Sequence, residues 1–180
     1  MDSIVKFKNM KDSTADDFQY IHKGWDEYSK DLGARVFNHL ALLGMESSAF
    51  PVDRLTHSIQ TAVLAMNNRE SDEYVVCALI HDIGDTLCTH NHSEIGAAIV
   101  QPFVDQSLWW MVKHHHLFQG YYFYHHIGLD RNQKFQLKSS PYYEMTERFV
   151  DLYDAPAFDP SMKIPSLEFF KPMLESFLQK

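Results

Sequence analysis

The stretch that most constrains this chain runs Tyr74-Val75-Val76-Cys77-Ala78-Leu79-Ile80-His81-Asp82-Ile83-Gly84-Asp85; its apolar run is the longest unbroken one in the sequence, and an adjacent His-Asp pair ends it. Apolar residues at 76, 79, 80 and 83 follow helical spacing, Ser71, Asp72 and Glu73 supply a cap and an acidic first turn, and Gly84 stops the helix. A helix this apolar is buried, so its tip delivers an imidazole and a carboxylate into the core. Burying them unpaired costs several kcal/mol. A salt-bridge network or a metal ion resolves that cost, and the remainder of the chain indicates which.

No alternating β pattern of useful length appears, and the periodic segments are all helical. Phe18, Ile21, Trp25, Tyr28, Leu32, Val36, Leu40 and Leu43 form one stripe behind the capping sequence Ser13-Thr14-Ala15-Asp16, in one long helix or two short ones because Gly24 and Gly33 weaken its interior. Ser47-Ser48-Ala49-Phe50-Pro51 breaks the chain. Leu55, Ile59, Ala62, Val63 and Met66 mark the next helix, followed by the one over 72–83, a polar loop from Asp85 to Asn91, and a short helix from Ser93 to Pro102. Asp105 caps a helix ending in His114-His115-His116, Gly120 to Ser140 reads as a loop or short helices over a cleft, Ser140-Pro141 starts a helix that ends before Pro156, and a last helix over 166–178 is expected to kink at Pro172. With 180 residues and 45% hydrophobic content, the expectation is a single all-α domain over 1–180, with a helical segment 1–46 packing on a core of 51–180.

Net charge of −8 argues against nucleic acid as an obligate partner. No apolar run approaches a membrane span, and the first residues lack an apolar core of signal-peptide type. Two cysteines, Cys77 and Cys88, do not form a disulfide framework, so a cytoplasmic setting is expected.

Eleven histidines are unusual, and their spacing is informative. Candidate ligands come one per helix: His57, His81 with Asp82, His92, one histidine of 114–116, and Asp154. Imidazole and carboxylate together suit iron, manganese, zinc and similar ions. Four histidines and two aspartates exceed one tetrahedral site, and an aspartate can bridge two ions with its two oxygens, so a dinuclear site is expected. His22, His39 and His90 read as surface or packing residues, and Cys88-Thr89-His90-Asn91-His92 lacks the second cysteine pair that a zinc site of that type needs.

The ordered set His57-Ser58-Ile59-Gln60, Ala78-Leu79-Ile80-His81-Asp82-Ile83-Gly84, His92-Ser93-Glu94-Ile95-Gly96-Ala97 and the tail from Lys163-Ile164-Pro165 to Met173-Leu174 resembles the HD-domain superfamily of metal-dependent enzymes. Within it, the pattern is similar to the mixed-valent di-iron oxygenases related to myo-inositol oxygenase, including those that cleave 1-hydroxyalkylphosphonates. The resemblance implies a helical bundle with two irons, Fe(II) and Fe(III), held by His57, His81, a bridging Asp82, His92, one of the histidine triplet and Asp154. For the triplet we choose His115, because Met111 and Val112 lie four and three residues before it on the inward face, with His114 as the competitor and His116 turned a further ~100° away.

The phosphonate-binding shell of those oxygenases is not matched: their tyrosine and glutamate before the first ligand correspond to Ser47 and Phe50, their lysine to Gln119, and a basic residue to Asp151. Phosphohydrolases of the superfamily often carry lysine where this chain has Asp85. The expected function is therefore oxidative cleavage of a C–C or C–P bond in a small, polar, anionic and hydroxylated metabolite with O2. The alternative is a phosphohydrolase or phosphodiesterase using two manganese, zinc or magnesium ions to activate water. A metal-binding scaffold without turnover is disfavoured by the complete ligand set. Asp85, Gln119 and Tyr122 are candidate substrate-binding residues. The aromatic run Phe118 to Tyr124 reads either as a box for a quaternary ammonium group or as packing, and Arg54, Lys113, Arg131, Lys134 and Arg148 are candidate anion binders or solvated charges.

Overall fold

A computed structural model describes residues 5–45 and 49–179, which places Ser47 outside the described residues. Among these residues there is no strand. The eight α-helices are α1 (Ala15–Lys30), α2 (Leu32–Ala41), α3 (Arg54–Asn67), α4 (Asp72–Ile80), α5 (His92–Val100), α6 (Gln106–Phe123), α7 (Tyr143–Phe149) and α8 (Lys171–Phe177). The all-α bundle expected from the periodicity is the architecture observed. Among the described residues no helix is long and apolar enough to cross a membrane.

Helix α4 is the axis of the bundle. Every residue from Tyr74 to Ile80 is buried, and Ser71 caps its start by accepting from the Tyr74 backbone amide (3.3 Å). It packs against α3, α6 and α8, while α5 lies across its far end through the 3-10 turn Ile83–Thr86. That end is closed by two glycines. A Cβ on Gly84 would collide with the His92 carbonyl and lie 2.7 Å from the His92 Cα, and a Cβ on Gly96 would lie 2.8 Å from the His81 carbonyl oxygen. Both positions therefore require glycine for α5 to approach α4 this closely.

Several boundaries differ from the sequence expectation for identifiable reasons. The first stripe takes the two-helix form of that expectation, though the division falls at Asp31 rather than at a glycine: α2 buries Gly33, Val36 and Leu40 against the body, whereas α1 buries nothing. Helix α6 continues through the histidine triplet to Phe123, because its 3–4 apolar spacing runs on and the Tyr124 ring covers Gly120. The segment that follows, expected as a loop or short helices, takes the second form, with 3-10 turns at Tyr124–Ile127 and Arg131–Leu137. Helix α7 widens into a π-helical turn, Val150–Asp154, which displaces Asp154 from ordinary helical register. Pro172 does not kink the last helix; a 3-10 turn at Leu167–Phe170 precedes α8, and the proline sits in its first turn, where its missing N–H has no helical role.

Candidate metal centre

His57 projects from α3, His81 and Asp82 from the end of α4, His92 from the start of α5, His115 from α6 and Asp154 from the π turn after α7. All except His92 are buried, and the His92 side chain is 18% exposed. Each histidine presents Nδ1 to a backbone carbonyl: His57 to Ala157 (2.9 Å), His81 to Ala78 (2.7 Å), His92 to Thr89 (2.8 Å) and His115 to Val112 (2.7 Å). A carbonyl only accepts, so Nδ1 carries hydrogen and a neutral ring leaves a bare lone pair on Nε2. The four Nε2 atoms converge. His57 and His81 approach to 3.2 Å through these atoms, and His92 and His115 to 3.3 Å. Two lone pairs at that separation repel unless a cation or a proton lies between them, and a carbonyl on the opposite nitrogen is the usual support of a metal-bound imidazole.

The carboxylates divide the same way. Asp154 Oδ1 lies 3.2 Å from His57 Nε2 and 3.6 Å from His81 Nε2, and Asp82 Oδ2 lies 3.5 Å from both. Asp82 Oδ1 instead faces His115 Nε2 (3.2 Å) and His92 Nε2 (3.3 Å). Bonds of about 2.0–2.2 Å in tetrahedral or octahedral geometry separate neighbouring ligand atoms by roughly 2.8–3.6 Å. The observed separations are those of ligands spaced around ions. Asp154 Oδ2 is buried and makes no hydrogen bond, an orphan that a cation would satisfy. These donors fit a divalent metal.

The surrounding side chains hold the donors in place. The Gln119 amide donates to Asp154 Oδ1 (2.6 Å). Gln60, fully buried one turn after His57, donates to the Asp159 carbonyl (2.6 Å) and accepts from its amide (3.2 Å). That clamp keeps Phe158 stacked on the His57 ring at 4.3 Å and 22°. Sequence reasoning missed both roles, because Gln60 joins a residue 99 positions away and Gln119 one 35 positions away, and neither contact has a local signature. Arg54 Nε lies 2.9 Å from Asp85 Oδ2, and its Nη1 lies 3.4 Å from Asp82 Oδ2. Asp85 Oδ1 is 3.6 Å from His92 Nδ1. Arg54 and His92, both partly exposed, thus mark the side from which solvent reaches the cluster.

Of the other candidates, His114 lies tilted against Trp110 (4.4 Å between ring centroids), His116 Nδ1 pairs with Ser93 Oγ (2.8 Å), and His39 Nε2 pairs with Thr86 Oγ1 (2.6 Å). Neither triplet neighbour of His115 reaches the cluster. Tyr122 is not brought to it either: its exposed side chain donates to Asp151 Oδ1 (2.6 Å), one turn beyond the Gln119–Asp154 pair. The aromatic run receives the protein's own cations. Lys134 is buried with Nζ 4.3 Å from the Tyr121 ring centroid and 2.8 Å from Glu147 Oε1, and Arg131 covers the same tyrosine. Arg148 pairs with Glu70, and Lys113 lies over Trp109.

Electrostatics match this assembly. Burial alone would depress His81, but Asp82 and Asp154 outweigh it and push its pKa up to about 9 in the metal-free chain. Burial opposes the charge on Asp82 and Asp154, yet the facing histidines hold both well below the usual carboxylate range. Burial and the neighbouring Asp82 push Asp85 up. The folded pKa of His81 exceeds its ordinary 6.5, so its proton stabilises the metal-free fold fully below about 6.5, and that contribution is lost as pH rises through about 9. A metal ion requires the same nitrogen bare. Metal uptake at pH 7 is therefore expected to release the His81 proton, with apparent affinity rising about tenfold per pH unit towards pH 9 and then levelling. Calorimetry in buffers of different ionisation enthalpy measures this directly; a binding enthalpy independent of buffer would contradict it.

A family profile described as HD domain matches residues 54–154, the span from Arg54 through the last carboxylate of the cluster. No curated protein matches the chain.

Proposed function

Because this chain belongs to the HD-domain family of metal-dependent enzymes, we propose that its six donors hold two ions bridged by Asp82, and that it is a non-haem di-iron oxygenase. It acts on a small anionic, hydroxylated metabolite, cleaving a C–C or C–P bond with O2. One observation carries the dinuclear part: the two oxygens of Asp82 face different donor sets, His57, His81 and Asp154 on one side and His92 and His115 on the other. The choice of iron rests on the sequence resemblance and on the imidazole–carboxylate donor set, which iron accepts.

When bound, iron in such a shell supplies one-electron chemistry with dioxygen and open positions for substrate oxygens. The chain's own residues do the rest. Four carbonyls fix the imidazoles in the tautomer that leaves Nε2 free, and Gln119 orients Asp154. The Phe158 ring covers His57 and excludes water from that flank. Arg54, partly exposed beside Asp82, offers a guanidinium to a carboxylate or phosphonate, and Asp85 steadies it. The same arginine favours a second reading, phosphate-ester hydrolysis by metal-activated water, since it supplies a cation that Asp85 does not.

The readings separate experimentally. Protein loaded anaerobically with iron is assayed in an oxygen electrode against polyols, 2-hydroxy acids and 1-hydroxyalkylphosphonates, and in parallel against p-nitrophenyl phosphate with manganese or zinc. We expect substrate-dependent oxygen consumption and a mixed-valent EPR signal with iron. Phosphate-ester turnover without oxygen, and no such signal, would replace the oxygenase with the hydrolase.

A further inference from the structure

Helix α1 has no buried residue, although it runs for 16 residues and is strongly amphipathic. At 100° per residue, Phe18, Ile21, Trp25 and Tyr28 fall within an arc of about 80°. Phe18 is 39% exposed, Trp25 56% and Tyr28 65%, while Lys23, Glu27 and Lys30 lie on the opposite side of the helix. Gly24, beside the stripe, has open space where a Cβ would be. A single helix of this length is marginal in water, and an interior glycine costs it about 1 kcal/mol. The exposed rings therefore lie on a helix that an additional surface would stabilise.

We propose that the surface is a second copy of α1, packed antiparallel about a two-fold axis at the level of Lys23. The sequence of the stripe is self-complementary in that arrangement. Phe18 falls opposite Tyr28 and Ile21 opposite Trp25, each pair occurring twice, as an isologous interface requires. Charge agrees with the register. The Arg35 guanidinium lies 3.8 Å from the Tyr28 ring centroid and donates to the Tyr28 carbonyl (2.8 Å). Asp17, adjacent to Phe18, uses Oδ2 to cap Thr14 at 2.8 Å. Pairing Phe18 with Tyr28 brings Asp17 of each copy to Arg35 of the other, two ion pairs flanking the apolar seam. Half-exposed aromatic rings of this number bury roughly 300–400 Å² per copy, below the ~800 Å² of a standard interface, so the association is concentration-dependent.

Sedimentation equilibrium of the metal-loaded chain between 2 and 200 µM tests this. The expected result is a monomer–dimer equilibrium that Trp25→Glu weakens at least 100-fold with no change in bound metal. Arg35→Glu is expected to weaken the dimer about tenfold, and the double variant Asp17→Arg/Arg35→Glu to recover it, which a simple loss of helix would not do. A wild-type chain that stays monomeric at 200 µM, or a Trp25→Glu variant that dimerises as the wild type does, would overturn the proposal.

Discussion

Replacing Asp82 by alanine should empty the centre of both ions at once. Its Oδ2 belongs to the set formed by His57, His81 and Asp154, and its Oδ1 to the set formed by His92 and His115. A structural metal site draws about 10–16 kcal/mol from some four ligands, so one ligand lost from each side lowers affinity by roughly 100–1,000-fold on both. The second set is hit harder, because among the described donors it then keeps only two imidazoles. Asp154→Ala, in contrast, removes a donor from one side alone and is expected to leave the His92–His115 side occupied. Metal-to-protein ratios after gel filtration, measured for both variants, separate a bridging role from a one-sided one. Equal losses in the two variants would mean that Asp82 serves a single ion.

The second large effect distinguishes the histidine triplet. His115→Ala is expected to lose metal from its side by a similar factor, whereas His114→Ala and His116→Ala keep it. His114 spends its ring on Trp110 and His116 on Ser93, and neither has a nitrogen in the cluster. Burial and the adjacent histidines push the His116 pKa down to about 4, so above that pH its removal deletes a neutral ring and leaves the charge of the centre unchanged. Loss of metal in the His116 variant with retention in the His115 variant would reverse the assignment.

The residues that converge in the cluster are legible in the sequence because each is a polar interruption of an apolar helical stripe. His57 lies among Leu55, Ile59 and Ala62, and the inward neighbours Met111 and Val112 point to His115. What periodicity does not encode is what lies opposite. Asp154 was placed by order along the chain, but the π turn that swings it inward and the Gln119 amide that orients it depend on contacts with another helix. The Gln60–Asp159 clamp closes a loop of 99 residues, and nothing local announces it. Tyr122 shared the helix with Gln119, yet one turn along α6 carries it out to Asp151. The aromatic run was compatible with a foreign cation until Lys134, a residue type normally solvated, was found buried against it. The stripe of α1 is the same lesson in reverse. Its spacing identifies an apolar face without saying which molecule covers it.

The central claim is that two metals share Asp82. Anomalous diffraction from crystals of the iron-loaded protein, recorded at the iron edge, tests it most directly. The account predicts two peaks flanking the Asp82 carboxylate, one among His57, His81 and Asp154 and the other against His92 and His115. A single peak at full loading, or a second peak away from Asp82, would contradict it.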